Sequence, residues 1–148
     1  MYQSIVVGTD GSETAQHAVN SAAALARLSG ARLTVVTAYR SVRAMALIAS
    51  GGSAAIDFLD ADEQQRMEAE ELLTHAVMRM DAGDVRVTTQ ARTGDPAEAL
   101  IATAEEVGAD LLVVGNRGMG GVARFLLGSV PNRVAHHAPC AVLIAHTT

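Results

Sequence analysis

The 148-residue chain contains no lysine; its eleven basic residues are all arginine. That absence removes a P-loop lysine, a Schiff-base lysine and a lysine general base from any mechanism. There is a single cysteine, Cys140, so no internal disulfide can form. No apolar run approaches the roughly 18–20 residues needed to span a bilayer. Met1-Tyr2-Gln3-Ser4 leads at once into a strand pattern, with no basic n-region or cleavage signature, and a cytoplasmic protein is expected. Positive charge is also scarce: the net charge is −5. This argues against nucleic acid as the main partner, because binding a phosphate backbone needs a concentrated positive surface. What is present is ordinary for a globular chain, with 49% hydrophobic and 18% charged residues. The length suits one domain over 1–148 with a sizeable core.

Strand and helix patterns alternate along the chain. Ser4–Thr9 reads as a short buried strand, and Asp10-Gly11-Ser12 supplies turn and N-cap chemistry. Ala15, Ala18, Val19, Ala22, Leu25 and Ala26 recur at helical spacing up to a glycine stop at Gly30. Leu33–Tyr39 is the second strand. Periodicity is lost over the long loop Arg40–Asp62, a length that in a compact domain signals a lid or a disordered segment. A second helix is expected over Glu63–Asp81 and a third strand over Val85–Arg92. Asp95-Pro96-Ala97-Glu98 opens a third helix with a cap, a proline at the first position and a capping-box glutamate; Gly108 ends it. Leu111–Val114 is the fourth strand. A helix over Pro131–His137, with Ser129 as its cap, precedes the fifth strand, Ala141–Ala145. The alternation and the near-continuous apolar strands imply an open five-stranded parallel sheet covered by helices on both faces.

In such a sheet, ligands bind beyond the carboxyl ends of the strands, where strand order reverses. In a 3-2-1-4-5 order, strands one and four flank that point. Thr9-Asp10-Gly11 and Gly115–Ser129 should therefore meet there. The second segment is nearly bare: Gly115, Gly118, Gly120, Gly121 and Ala123 precede Gly128-Ser129-Val130-Pro131. A loop so depleted of side chains, leaving a strand and entering a helix, lets backbone amides approach a phosphate. The plain alternative is a flexible turn. Arg117 is the nearby cation for a phosphate contact, whereas Arg124 is assigned to covering the helix or loop. Asp10 is either a helix cap alone or, in addition, an acceptor for ribose hydroxyls or an adenine amine. His136-His137 lacks a matching cysteine or carboxylate cluster at ligand spacing, so no metal site is expected. Cys140 reads as a small buried hydrophobe, since nothing in the sequence supplies it with a base.

These residues resemble the universal stress protein family. Val6-Val7-Gly8-Thr9-Asp10-Gly11-Ser12 looks like its first strand and Asp loop. Gly115-x2-Gly118-x9-Gly128-Ser129 is similar to the motif marking its ATP-binding branch. Pro139-Cys140-Ala141-Val142-Leu143-Ile144 resembles its closing strand, although the family more often places Cys before Pro. The resemblance covers essentially the whole chain. It implies a Rossmann-like five-stranded fold, a homodimer formed through the strand 141–145, and a bound adenine nucleotide. That nucleotide is ATP, or cyclic AMP in some members, any Mg2+ arriving with it. By family pattern Asp10 would meet the ribose or base, with Thr9 beside it among the binding candidates, and the backbone near Ala38 would meet the adenine. Gly115, Arg117, Gly118, Gly128, Ser129 and Val130 would surround the phosphates, with Asn116 also among the binding candidates and Gly94 as a weaker one. Asn116 and Met119 occupy positions the family fills in several ways, which leaves ligand selectivity open.

Four functional classes follow from these residues. A nucleotide-binding regulatory module fits best. Backbone donors, one arginine and one carboxylate hold phosphate well but do not activate water, so any ATPase should be slow. A slow hydrolase or adenylyl transferase needs a substrate-side acid or base, for which Asp57 and Asp60 in the long loop are the candidates. A phospho-receiver domain is excluded by the absence of lysine and by the single acid at the end of strand one. A nucleotide-independent dimer acting through protein contacts is the remaining alternative.

Overall fold

The computed structural model of the chain describes residues 1–41, 48, 49, 51, 59–116 and 127–146. Among the described residues the elements run in the order β1 (Ser4–Gly8), α1 (Glu13–Ser29), β2 (Arg32–Tyr39), α2 (Leu59–Met78), β3 (Val87–Thr93), α3 (Pro96–Glu106), β4 (Leu111–Gly115), α4 (Ser129–His137) and β5 (Ala141–Ala145). The strands form one parallel sheet in the order β3-β2-β1-β4-β5, as expected from the alternation.

Alternate strand residues divide between two cores, because successive side chains point to opposite faces. Ile5, Val7, Leu33, Val35, Leu111 and Val113 meet the alanine-rich stripe of α1 and Leu73 and Met80 from the α2 side. Val6, Val36, Leu112 and Val114 meet Leu100 of α3 and Val134 of α4 on the other face. The alanines of α1, fully buried at Ala18, Ala22 and Ala26, let that helix lie close to the sheet.

Several boundaries differ from the sequence reading. β3 begins at Val87, not Val85, because Val85 N–H turns back to the Ala82 carbonyl at 3.0 Å. α2 starts at Leu59 rather than Glu63, so the helix takes in residues that the sequence reading gave to the long loop. α4 is capped by Gly128, not Ser129. The Gly128 carbonyl accepts from Asn132 N–H at 3.1 Å, so Ser129 is already the first helical residue. Asp95 caps α3 as expected, accepting from Ala97 and Glu98 amides at 3.0 and 3.1 Å. Among the described residues the Glu98 side chain closes no capping box; it meets Arg133 of α4 at 3.3 Å.

Arginines tie the helices down. Arg79 donates to both Glu13 oxygens at 2.8 Å, fastening α2 to the first turn of α1. Arg92 grips Glu106 with two bonds of 2.6 and 2.7 Å, closing β3 onto the end of α3. Both glutamates are held below the ordinary carboxylate range, chiefly by the arginine hydrogen bond. A carboxylate lowered in the folded state contributes stability that is present above its unfolded value of about 4.3 and is lost as pH falls through the folded value. Urea midpoints should therefore drop as pH falls below about 4.3. The Arg79→Gln/Arg92→Gln double variant should show a shallower acid limb; an equally steep one would show that other groups carry it.

Candidate functional site

The centre of the sheet's carboxyl edge is built from the ends of β1, β2 and β4. Thr9 N–H continues the ladder to the Val36 carbonyl at 2.9 Å. The β1–β4 register pairs Val7 with Val113, so Thr9 lies level with Gly115. Gly8 is bare for a packing reason: a Cβ there would stand 2.8 Å from Leu100 Cδ1. Ala38, half-buried, follows Val36 by two residues and so occupies the same face of β2, the face that carries α3 and α4.

The chain leaves β1 through a tight turn. Thr9 is buried and its hydroxyl accepts from Gly11 N–H at 3.1 Å, so it shapes the loop. Asp10 is exposed, and its carboxylate accepts from the Ser12 amide at 3.0 Å and from the Ser12 hydroxyl. Ser12 is the residue that caps α1, accepting from Ala15 N–H at 3.1 Å. Asp10 therefore does not cap the helix; it orients the residue that does. Gly11 has φ +82, and a Cβ on it would come within 2.9 Å of Leu72 Cδ1 of α2. The Asp-Gly dipeptide signals such a turn, but the Leu72 contact comes from a distant helix and had no local sign.

The second segment joins the same edge. Asn116 N–H donates to the Ala145 carbonyl at 3.0 Å, and Gly128 N–H donates to the Asn116 carbonyl at 3.1 Å. The start of α4 is thus stitched directly to the end of β4. These two amides are engaged in holding the frame. The amides of Ser129 and Val130, in the first turn, have no intrahelical acceptor by position. Pro131, which lacks an N–H, and Val134 are buried and seat α4 on the sheet. Arg133 anchors it sideways, pairing with Asp95 at 2.8 Å. Gly94 sits beside the end of β2, its N–H donating to the Tyr39 carbonyl at 2.9 Å.

Thr9, Asp10, Ala38, Gly115, Asn116, Gly128, Ser129 and Val130 all fall at this edge. Arg117, Gly118, Met119, Gly120, Gly121, Ala123 and Arg124 lie outside the described residues, as does Asp57. A cleft of about 420 Å³ adjoins the Asp10 turn on the α1–α2 side, bordered by Ser12, Gln16, Leu72 and His75. Among the described residues no group of three His, Cys, Asp or Glu is arranged to hold a metal ion, and no helix is long and apolar enough to cross a membrane. Cys140 is half-buried against the α3–α4 core, and burial pushes its thiol up.

The family model described as the universal stress protein family matches residues 1–146. The chain is a member of the universal stress protein family. Its relatives include a universal stress protein of Mycobacterium tuberculosis, 40% identical over 99% of this chain and 98% of its own length. A putative universal stress protein of Staphylococcus haemolyticus is 34% identical over 99% of this chain and 86% of its own. Among solved structures, a universal stress protein crystallised in complex with cAMP is 37% identical, with a TM-score of 0.64 over 99% of this chain and 98% of that one. The family's doubly covered parallel sheet is the architecture described above.

The Asp10 turn makes one requirement testable. Gly11→Ala places a side chain at a left-handed φ against Leu72. It should lower stability by about 1–3 kcal/mol in urea denaturation. A loss below a few tenths would mean the turn readily relaxes to another conformation.

Proposed function

We propose that this universal stress protein binds an adenine nucleotide, cyclic AMP or ATP, at the carboxyl ends of β1 and β4 and acts as a regulatory module. The observation that carries this reading is the cAMP complex of a 37% identical structure that aligns over 99% of this chain. The local chemistry agrees with it. Ser129 and Val130 offer amides at the positive end of α4, where anions are favoured. Asp10 is an exposed acceptor on the neighbouring turn, suited to ribose hydroxyls or an adenine amine, with the Ala38 backbone beside it for the base. ATP is supported by the spacing Gly115-x2-Gly118-x9-Gly128-Ser129, in which Arg117 would contact phosphate. Any Mg2+ would come with the nucleotide.

The same groups are poorly suited to turnover. No lysine exists to stabilise transferring charge, and neither segment holds a glutamine or a second carboxylate to orient water. Hydrolysis of ATP should stay below about 1 s⁻¹, the low end of ordinary enzymes. The whole chain acts as one domain in this reading, and β5 pairs two copies into a homodimer. In support, β5 is the edge strand beyond β4 and presents a half-buried Val142-Leu143-Ile144 run.

Calorimetric titration with cAMP and with ATP tests the site. Gly128→Glu is the discriminating variant. Its φ is −58, and a Cβ there has only ordinary contacts, the nearest 3.5 Å from Pro131, so the fold should survive. The added carboxylate would sit at the phosphate end. Affinity should fall at least about tenfold, the loss of one charge-assisted contact. Unchanged affinity for both nucleotides with an intact fold would place the phosphates elsewhere. No binding of either by the unaltered chain would favour a dimer that acts through protein contacts alone.

A further inference from the structure

At the opposite end of the sheet, the amino ends of β1 and β2 and the turn before β3 enclose a cleft of about 490 Å³. Its lining includes Gln3, Arg27, Arg32, Asp84 and Arg86. Three of the eleven arginines thus converge on one cleft of a protein whose net charge is −5. Arg27 is paired with Asp81 at 2.7 Å. Arg32 donates to the Ser4 hydroxyl at 3.1 Å and to the Val107 carbonyl at 2.6 Å. Both acceptors are neutral, so they fix the guanidinium without cancelling its charge. The Arg86 guanidinium makes no hydrogen bond or ion pair with any described residue. Three acids stand nearby: Asp84 on the lining, Asp81 on Arg27, and Asp110, whose carboxylate takes the Gln3 and Ser4 amides at 2.8 and 3.1 Å. They balance the arginines in number, so what the cleft offers an anion is the unused donors of Arg86 and Arg32 rather than an excess of charge.

The carboxyl end of α1 also faces this region, and its negative pole disfavours anions. Two features offset it. The Ala26 carbonyl is already capped by the Gly30 and Ala31 amides, the latter at 3.0 Å, and Arg27 stands in the last turn.

We propose that this cleft binds a small oxyanion, a metabolite bearing phosphate or carboxylate groups, held by Arg32 and Arg86 with Arg27 beside them. The planar guanidinium fork matches both groups through paired hydrogen bonds. Arg32 is ordered in advance by Ser4 and Val107, which lowers the cost of binding. The cleft falls within the roughly 300–1,000 Å³ of small-molecule sites. None of its residues belongs to the nucleotide site proposed above, so the two readings stand or fall separately.

The test is a backbone amide NMR titration of the full chain with sodium pyrophosphate at constant ionic strength. Saturable shifts are expected at Arg32, Asp84 and Arg86. Arg86→Gln should weaken this binding about tenfold, the worth of one charge-assisted contact. It should leave the fold intact, because the guanidinium it removes makes no hydrogen bond or ion pair with a described residue. Gly128→Glu should leave the binding unchanged. Parallel titration with citrate then separates phosphate from carboxylate preference. The proposal is overturned if no saturable shift appears at these amides, if shifts are confined to residues 9–11 and 115–130, or if Arg86→Gln binds pyrophosphate as well as the unaltered chain does.

Discussion

β1 is enclosed on both faces by helices and on both edges by β2 and β4, and most of the molecule follows from that enclosure. Ile5, Val6 and Val7 have no exposed surface and Ser4 only 2%. A strand buried on all sides must spend every backbone group on its neighbours and every side chain on packing. It can present chemistry only where it leaves the sheet. Gly8 marks the exit, because Leu100 occupies the space a side chain would need. Thr9 keeps one more ladder bond, and Asp10 is the first residue exposed to solvent. The position of the candidate site is therefore a consequence of how the core closes.

The parallel sheet also gives its two ends opposite electrostatic characters. Each helix runs back against the strands, so helix amino ends gather at the carboxyl edge and helix carboxyl ends at the other. At the carboxyl edge the amides of α1 and α4 supply positive potential without charged side chains. At the amino edge the exposed carbonyls need cations. Arg32 donates to the Val107 carbonyl at the end of α3, and Arg27 stands in the last turn of α1. Arginine at that edge thus has a structural cause, yet the cause accounts for only part of it. Arg86 completes no helix end, and Arg32 keeps its charge after its neutral bonds are made.

Much of this was legible from residue order. β1 and β4 are apolar runs, the alternation of strand and helix implies a parallel sheet, and Asp95-Pro96 and Gly30 mark helix ends through local chemistry alone. The features that were not legible depend on distant partners. Ser129 has the side chain of a cap, but the Asn116 carbonyl draws Gly128 into that position. Glu98 has the spacing of a capping box, but Arg133, 35 residues on, takes its carboxylate. Asp10 looks like a cap, but Ser12, two residues later, has the geometry for it. At the site, the glycines and Asp10 stood out in the sequence. The arginine cleft did not, since Arg27, Arg32 and Arg86 lie on three separate segments that only the sheet brings together.

On the proposed reading, a preference for holding a nucleotide over cleaving it would follow from the same architecture. Rate acceleration requires interactions that are stronger in the transition state than in the ground state. Amides at the start of a helix are fixed by the frame and meet a bound phosphate before and after any bond is broken. Asp10 is the one carboxylate on the β1 turn, and it is already committed to the Ser12 amide and hydroxyl that set the start of α1. Releasing it to take a proton from water would loosen the cap that positions the turn. A bound ligand instead reinforces that geometry, adding contacts to groups the fold already holds in place. On the proposed reading, what such a site would pass on is whether a nucleotide is bound.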